Sequence, residues 1–337
     1  MTPSATPRVL EVGESCLFKQ TWPETTRLLY AGPDRRAVAG LADRLYSPTA
    51  RSPGAFDITV VYPPLEPPWA RDTLLRLLRR REVAAMAALG VAAWGMGRPR
   101  ATPLAVLDMH DESEIPPHRF GLLLACDVYF KRELPADPRK CVRRAWRSPP
   151  ILAALDRVRP LSLGLPPHVL DCVPPPLGKT TDLFFAGASG HAPAIRGAGI
   201  GQLEALAAQG VRVDLVRERL PIGAFLERCA RARLTWSPEG LGWDCFRHYE
   251  AAACRSVPVI NQPGVRRYQP LRDGEHAFYY PVEGDGLARI VRAALAAPDR
   301  LAAMGEAARQ HVLAHHTHAA LCRHVVQTCL AARQPRA

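Results

Sequence analysis

Short apolar runs alternate with longer helical patterns along this chain, and a proline-rich segment divides the alternation into two series. The first series has strand-like runs at 27–31, 57–62, 104–107 and 127–130 and helical patterns at 33–46, 70–89 and 138–146. The second has strand-like runs at 181–186, 211–216, 234–236, 257–261 and 277–280 and helical patterns at 201–209, 221–233, 244–254 and 287–296. Strands and helices that alternate at this spacing predict an α/β fold with two parallel sheets.

Three consecutive prolines, Pro174 to Pro176, interrupt the alternation. Such a run belongs in neither a helix interior nor a central strand, so it predicts a stiff linker. The sequence therefore predicts an N-terminal Rossmann-like domain at 1–172, a second one at 173–298 and a helical tail at 299–337. Open sheets of this kind bind their ligands beyond the carboxyl ends of the strands.

The chain is basic, with 44 Lys and Arg against 32 Asp and Glu and a net charge of +12. This balance is compatible with an anionic ligand or a polyanionic partner, and equally with an arginine-rich composition that has no functional meaning. The basic residues are dispersed along the sequence, and their densest run is at 76–81. A nucleic-acid partner is therefore not favoured, because such proteins concentrate their basic residues in a stripe with interleaved aromatic residues.

The nine cysteines form no CxxC pair and no cluster with zinc spacing. This pattern predicts reduced, packed thiols, a cytoplasmic protein and no metal site. The N-terminus lacks the apolar region of a signal peptide, and no apolar stretch is long enough to span a membrane.

Residues 236–250 (WSPEGLGWDCFRHYE) hold the densest set of functional side chains. A strand ends at Trp236, a loop with Gly240 and Gly242 follows, and Asp244 is predicted to cap the next helix. A glycine loop that leads into a helix N-terminus can bind phosphate oxygens. On that helix Arg247 and Glu250 share a face, which places the carboxylate of Glu250 where it can accept hydrogen bonds from ribose hydroxyls. An ordinary loop with a surface Arg–Glu pair is the alternative.

The segment SPEGLGWDCFRHYEAAACRSVPVIN resembles the donor-site signature of group 1 glycosyltransferases, particularly the bacterial branch related to spore-maturation and cell-envelope enzymes. The resemblance covers roughly 182–326 and implies the GT-B architecture, in which two Rossmann-like doubly wound domains face a cleft. It implies that Glu239 faces the sugar and that Glu250 holds the nucleotide ribose. The two glutamates are further apart than in the commonest family pattern, and Arg255 stands where a small residue is usual.

A second segment, DLFFAGASG at 182–190, is a strand that runs into a loop of small residues. By resemblance, this loop, with Gly187, Ser189 and Gly190, would approach the donor diphosphate. Arg196 would then stabilise the charge of the leaving nucleoside diphosphate. The resemblance also implies that the last helix returns to the first domain.

In the first series, Asp108, His110, Asp111 and Glu112 follow a predicted strand. We interpret them first as a polar loop, second as an acceptor contact or general base involving His110 and Asp111, and only third as metal ligands. Lys131 and Arg132 follow the next strand, where they would contact an anionic substrate or lie in a solvated turn. The tail histidines are interpreted as a solvated helix face, and they are His311, His315, His316 and His318.

Together these observations predict a metal-independent glycosyltransferase without a bound cofactor, which transfers a sugar from a nucleoside-diphosphate sugar to an unknown acceptor. The resemblance leans toward retention at the anomeric carbon. The first alternative is a catalytically silent GT-B protein that binds a ligand or a partner. A weaker alternative is a DNA-directed glycosyltransferase, motivated by the net charge of +12.

Overall fold

The computed structural model describes residues 6–30, 55–63, 102–188 and 193–333. The chain forms two compact units, one of Met1–Leu161 with Leu321–Ala337 and one of Ser162–Ala320. The boundary therefore lies ahead of the limit at residue 172 that the sequence predicts. The helical patterns predicted at 33–46 and 70–89 lie outside the described residues.

The first unit contains a parallel sheet with the strand order β2-β1-β3-β4-β5-β6. Its strands are β1 (Val9–Gly13), β2 (Thr26–Tyr30), β3 (Ile58–Val61), β4 (Leu104–Asp108), β5 (Val128–Lys131) and β6 (Val158–Pro160). Its helices in the described residues are α1 (Leu17–Thr21), α2 (Phe120–Ala125) and α3 (Pro149–Ala154), with short 3-10 helices at Pro117–Arg119, Pro138–Ala145 and Leu155–Arg157. The strand predictions are confirmed, whereas the sequence analysis missed β1 and β6.

The second unit contains a parallel sheet with the order β11-β10-β9-β7-β8. Its strands are β7 (Thr181–Ala186), β8 (Val213–Val216), β9 (Ala232–Trp236), β10 (Val257–Asn261) and β11 (Phe278–Tyr280). Its helices are α4 (Pro167–Leu170), α5 (Pro193–Ala208), α6 (Ile222–Arg231), α7 (Phe246–Ala253), α8 (Gly286–Leu295) and α9 (Pro298–His315). The last helix, α10 (His318–Arg333), begins in this unit and continues into the first.

The central strands of the second sheet are buried on both faces, which explains why they read as continuous apolar runs rather than as alternating patterns. All five residues of β10 are buried, and Trp236 at the end of β9 packs against Phe185 of β7 with 4.5 Å between ring centroids. Helix α5 lies close to this core, because a Cβ atom on Gly199 would lie 2.1 Å from the Trp236 ring. Only glycine permits this approach, which brings the N-terminal part of α5 to the end of the sheet.

Among the described helices, none combines the length and the apolar character that a membrane crossing requires.

Candidate active site

The carboxyl ends of three neighbouring strands, β7, β9 and β10, form the candidate site in the second unit. Strand β7 leads into Gly187 and Ala188, β9 leads into the loop at 237–245, and β10 ends at Asn261. Parallel strands end at the same edge of a sheet, so the two segments predicted to bind the donor lie side by side.

Arg196 on α5 and Arg247 on α7, here called the arginine pair, hold the two loops from opposite helices. Arg196 donates from Nη1 to the carbonyl oxygen of Ala188 at 2.6 Å and from Nε to that of Glu239 at 3.2 Å. Arg247 donates from Nη1 to the carbonyl oxygen of Pro238 at 3.3 Å and lies over the Phe185 ring. The arginine pair therefore sets the distance between the β7 and β9 loops.

Neither member of the arginine pair forms an ion pair with a carboxylate in the part of the chain that the structure describes. Arg196 is only 4% exposed. Burial lowers the pKa of Arg196 first, and the nearby charge of Arg247 lowers it further. Burial also lowers the pKa of Arg247. A buried and a half-buried cation that no described carboxylate pairs with cost free energy, so this site favours an anion that carries two charges.

Glycines line the approach to both guanidinium groups. A Cβ atom on Gly187, whose φ is +157°, would lie 3.1 Å from Nη2 of Arg247, and one on Gly240 would lie 3.4 Å from Nη2 of Arg196. Gly242 is buried, and its carbonyl oxygen accepts a hydrogen bond from the Gly240 amide at 3.0 Å. The structure thus brings the predicted Gly187 and Gly240 to the arginine pair, and Gly242 lies next to Gly240. The predicted Ser189 and Gly190 lie outside the described residues.

Glu239 and Asn261 hold each other by two hydrogen bonds. The Glu239 amide donates to Oδ1 of Asn261 at 2.9 Å, and Nδ2 of Asn261 donates to Oε2 of Glu239 at 2.8 Å. Asn261 is 1% exposed, so a buried amide orients a half-buried carboxylate. Asn261 was not among the predicted site residues. It could have been found from the sequence as the polar residue that ends the otherwise apolar strand VPVIN.

Glu250 lies on α7, one turn after Arg247, and is half-buried. Its carboxylate accepts no hydrogen bond and forms no ion pair among the described residues. Burial raises the pKa of Glu250 to about 7, and the charges of Arg247 and Arg219 oppose this rise. A desolvated carboxylate without partners is suited to accept hydrogen bonds from ligand hydroxyl groups.

The prediction that Asp244 caps the helix is wrong. Cys245 occupies the N-cap position of α7, and Asp244 lies one residue before it. The buried Asp244 carboxylate accepts hydrogen bonds from the Leu163 amide at 2.7 Å and from the Tyr249 hydroxyl at 2.5 Å. These bonds direct the carboxylate into the protein, where Asp244 fixes the end of the loop.

In the first unit, His110 and Asp111 follow β4 as predicted. Nε2 of His110 lies 2.9 Å from the carbonyl oxygen of Pro63. Asp111 forms an ion pair with Arg132.

The interpretation of Lys131 and Arg132 as a solvated turn is wrong, because both side chains are buried. Lys131 lies 3.3 Å from the carboxylate of Asp108, which also pairs with Arg119 and accepts from the Tyr129 hydroxyl. Buried charges persist when they are paired and hydrogen-bonded, so these side chains form a buried charge cluster at the end of the first sheet.

The structure gives no group of three or more His, Cys, Asp or Glu side chains arranged to hold a metal ion within the described ranges. The interpretation of the tail histidines as a solvated face is wrong for His316, which is fully buried. Its Nδ1 lies 2.8 Å from the Ser162 hydroxyl, its Nε2 lies 2.8 Å from the carbonyl oxygen of Gln269, and its ring stacks on Tyr249.

This burial predicts a loss of stability in acid. Burial lowers the pKa of His316 to about 3, against about 6.5 in an unfolded chain. The unfolded state therefore binds more protons between these values, and stability that is complete above pH 6.5 falls as the pH drops through this range. Between about pH 7.5 and 5, we expect the free energy of unfolding of His316→Gln to fall by about 2 kcal/mol less than that of the wild type.

Urea unfolding of the wild type and of His316→Gln at the two pH values measures this difference. The comparison uses the pH dependence, so a uniform destabilisation by the substitution does not affect it. An equal pH dependence in both proteins would show that His316 is not the group that takes up the proton.

A family model described as glycosyl transferase-like matches residues 213–330. Those residues include β9, the loop with Glu239, α7 with Glu250, and Asn261. Residues 213–330 form a glycosyl transferase-like domain. The predicted resemblance to the glycosyltransferases is thereby confirmed for this part of the chain, and with it the prediction of a glycosyltransferase enzyme. Its assignment to the branch related to spore maturation stays a prediction.

Two solved structures are similar to this chain over nearly its whole length. A glycosyltransferase from Rickettsia africae ESF-5 has 9% identity and a TM-score of 0.57, covering 97% of this chain and 99% of its own. Sucrose-phosphate synthase from Thermosynechococcus elongatus has 12% identity and a TM-score of 0.50, covering 95% and 98%. These likenesses concern the fold, and they confirm the predicted GT-B architecture of two Rossmann-like domains. No curated protein sequence matches the chain.

Proposed function

We propose that this glycosyltransferase binds a nucleoside-diphosphate sugar at the arginine pair and transfers the sugar without a bound metal ion. The observation that carries the proposal is that the buried Arg196 and the half-buried Arg247 have no carboxylate ion-pair partner in the described part of the chain. Guanidinium groups bind phosphate oxygens through paired hydrogen bonds. A diphosphate supplies the two negative charges that this site lacks.

Arg196 and Arg247 would stabilise the departing nucleoside diphosphate. When the bond between the anomeric carbon and the β-phosphate oxygen breaks, the diphosphate takes the electron pair and its negative charge grows. Donors that are already fixed at this position stabilise the charge without reorganising. Arg196 is held in this way by the carbonyl oxygens of Ala188 and Glu239.

The two glutamates would bind the rest of the donor. Glu250 would accept hydrogen bonds from the ribose hydroxyls, since its carboxylate is desolvated and accepts no hydrogen bond from the described residues. Glu239, which Asn261 orients, would contact the hydroxyls of the sugar. Both assignments deepen the roles that the resemblance implies.

His110 would act as the base that takes the proton of the acceptor hydroxyl. The Pro63 carbonyl oxygen can only accept a hydrogen bond, so the proton of His110 belongs on Nε2. Nδ1 then carries the lone pair and has no hydrogen-bond partner among the described residues. His110 is better suited to this role than Asp111, whose carboxylate is paired with Arg132.

We place the enzyme in the cytoplasm. All nine cysteines are free thiols, and seven of them are buried. Buried free thiols are typical of a reducing compartment.

Turnover with a panel of nucleoside-diphosphate sugars, measured as release of the nucleoside diphosphate, tests the proposal. We expect release from at least one donor, faster when an acceptor sugar, peptide or small hydroxyl compound is added. We expect EDTA to leave the rate unchanged, because arginines carry the diphosphate charge. A rate that EDTA abolishes and Mg²⁺ restores would contradict metal independence. Tight donor binding without release or transfer would support the catalytically silent alternative.

A further inference from the structure

Residues 138–147 of the first unit, PRKCVRRAWR, expose a concentration of cationic side chains. Cys141 and Val142 are both 1% exposed and fix the segment to the core of the unit. The outward-facing set, here called the basic-aromatic surface, consists of Arg139, Lys140, Arg143, Arg144, Trp146 and Arg147, all of them exposed. The sequence analysis described the basic residues as dispersed and overlooked this group.

The positive charge of this surface is only partly compensated. The carboxylate of Glu114 pairs with Arg143 and with Arg144. Arg139, Lys140 and Arg147 form no ion pair with any described carboxylate. A set of like charges held together on a rigid segment attracts an anionic partner over about 10 Å at ordinary salt concentrations.

Trp146 adds a large apolar group to the cationic one. Its side chain is 61% exposed, and the Arg147 guanidinium lies over the ring, 4.3 Å from its centroid. An exposed indole leaves apolar area in water, which is unfavourable unless a partner covers it. Tryptophan is enriched where proteins meet the headgroup layer of a membrane, since its ring is apolar and its N–H is polar.

We propose that the basic-aromatic surface docks the enzyme on a membrane that contains anionic phospholipids. The cations would lie against the headgroups, and Trp146 would insert at the boundary with the acyl chains. This surface lies in the first unit and involves none of the residues assigned to the donor, so the inference goes beyond the proposed function.

Two observations favour a lipid surface over a nucleic acid. Bases stack on open aromatic faces, and a guanidinium covers one of the two faces of Trp146, which leaves a single face for stacking. Major-groove readers insert a regular helix or a β-ribbon, whereas this segment is a 3-10 helix interrupted at Val142, where φ is −122°. The basic-aromatic surface has no regular helix or β-ribbon that could enter a groove, and it can lie against a flat anionic membrane surface.

Sedimentation with vesicles tests the proposal. We expect the full-length protein to sediment with vesicles of mixed phosphatidylcholine and phosphatidylglycerol, to stay in solution with phosphatidylcholine alone, and to be released by high salt. A triple variant, Arg139→Glu, Lys140→Glu and Arg147→Glu, should bind the mixed vesicles at least about 100-fold more weakly, since each cation near such a surface contributes about fivefold.

A second triple variant serves as the matched control, because it makes the same change in net charge at exposed helical arginines elsewhere. It combines Arg231→Glu, Arg289→Glu and Arg323→Glu. We expect it to keep most of the vesicle binding. Trp146→Phe should abolish the blue shift of tryptophan fluorescence that the wild type shows on adding mixed vesicles.

Three outcomes would overturn the proposal: equal binding to neutral and anionic vesicles, equal losses in the two triple variants, or tighter binding to a single-stranded or duplex oligonucleotide than to the mixed vesicles. Because Trp146 is exposed, Trp146→Phe keeps the proposal testable if the charge variants do not fold. An unchanged blue shift in Trp146→Phe would also count against the docking surface.

Discussion

Arg196→Ala is expected to lower kcat by about 100-fold or more while weakening ground-state binding of the donor by less than about tenfold. The reason is that the diphosphate gains charge mainly as the sugar departs, so a fixed cation acts most strongly on the transition state. Steady-state kinetics together with a separate donor titration distinguish the two effects.

Arg212→Ala is the matched control for this variant. Arg212 lies in the same unit, is 56% exposed and pairs with Asp182, away from the arginine pair. We expect it to turn over normally. Because Arg196 is buried, its replacement by alanine could disturb folding, and Arg196→Lys provides a second test. Lysine keeps the positive charge but lacks the planar set of N–H donors of a guanidinium, so we expect Arg196→Lys to retain only part of the wild-type rate. Normal turnover by Arg196→Ala would contradict the leaving-group role.

Glu250→Ala should weaken binding of the nucleoside diphosphate by about tenfold to 100-fold. Hydrogen bonds to a charged acceptor contribute about 1.5–3 kcal/mol, and no described group donates a hydrogen bond to this carboxylate. Wild-type affinity should also rise as the pH rises through about 7, where Glu250 ionises. Glu250→Gln should lose this pH dependence. Titration calorimetry at several pH values measures both effects.

The burial of Glu250 also predicts that the stability of the folded protein falls as the pH rises, whereas its affinity for the nucleotide rises. The pKa of Glu250 is higher in the folded protein than in the unfolded chain, so the stability present at low pH falls as the pH rises through about 7. Glu250→Gln should therefore unfold at a higher temperature than the wild type above that pH. If Glu250→Gln bound the nucleoside diphosphate less tightly and were also less stable than the wild type above that pH, Glu250 would have a structural role rather than a ligand-binding one.

The sequence predicted most of the second sheet because its strands are buried on both faces. Strands such as VPVIN contain consecutive apolar residues, which no surface helix or loop imitates over that length. Strand β1, VLEVG, was missed because Glu11 interrupts its apolar pattern. In the structure Glu11 is buried and accepts hydrogen bonds from the Phe18 and Lys19 amides and the Tyr62 hydroxyl. Two of these donors are on α1 and one follows β3, so the local hydrophobic pattern around Glu11 could not predict them.

The sequence predicted which residues lie at the candidate site better than it predicted which groups those residues contact. The spacing of Arg247 and Glu250 correctly predicted that they lie on one helix. The contact of Arg247 with the β9 loop could not be predicted in this way, because its guanidinium also packs on Phe185 of the neighbouring strand β7. Asp244 was assigned to the helix N-terminus by local propensity, and its actual partner, the Leu163 amide, is distant in sequence. Tertiary partners of this kind override capping preference, and no spacing rule predicts them.

Titration calorimetry of the wild-type protein with a nucleoside diphosphate and the matching monophosphate, both in EDTA, tests the central claim most directly. The central claim is that Arg196, which is buried, and Arg247, which is half-buried, together bind a diphosphate. We therefore expect the diphosphate of at least one base to bind about tenfold or more tightly than its monophosphate, and Arg247→Gln to remove most of this difference. Equal affinity for the two nucleotides, or no binding of any diphosphate in a panel of bases, would contradict it.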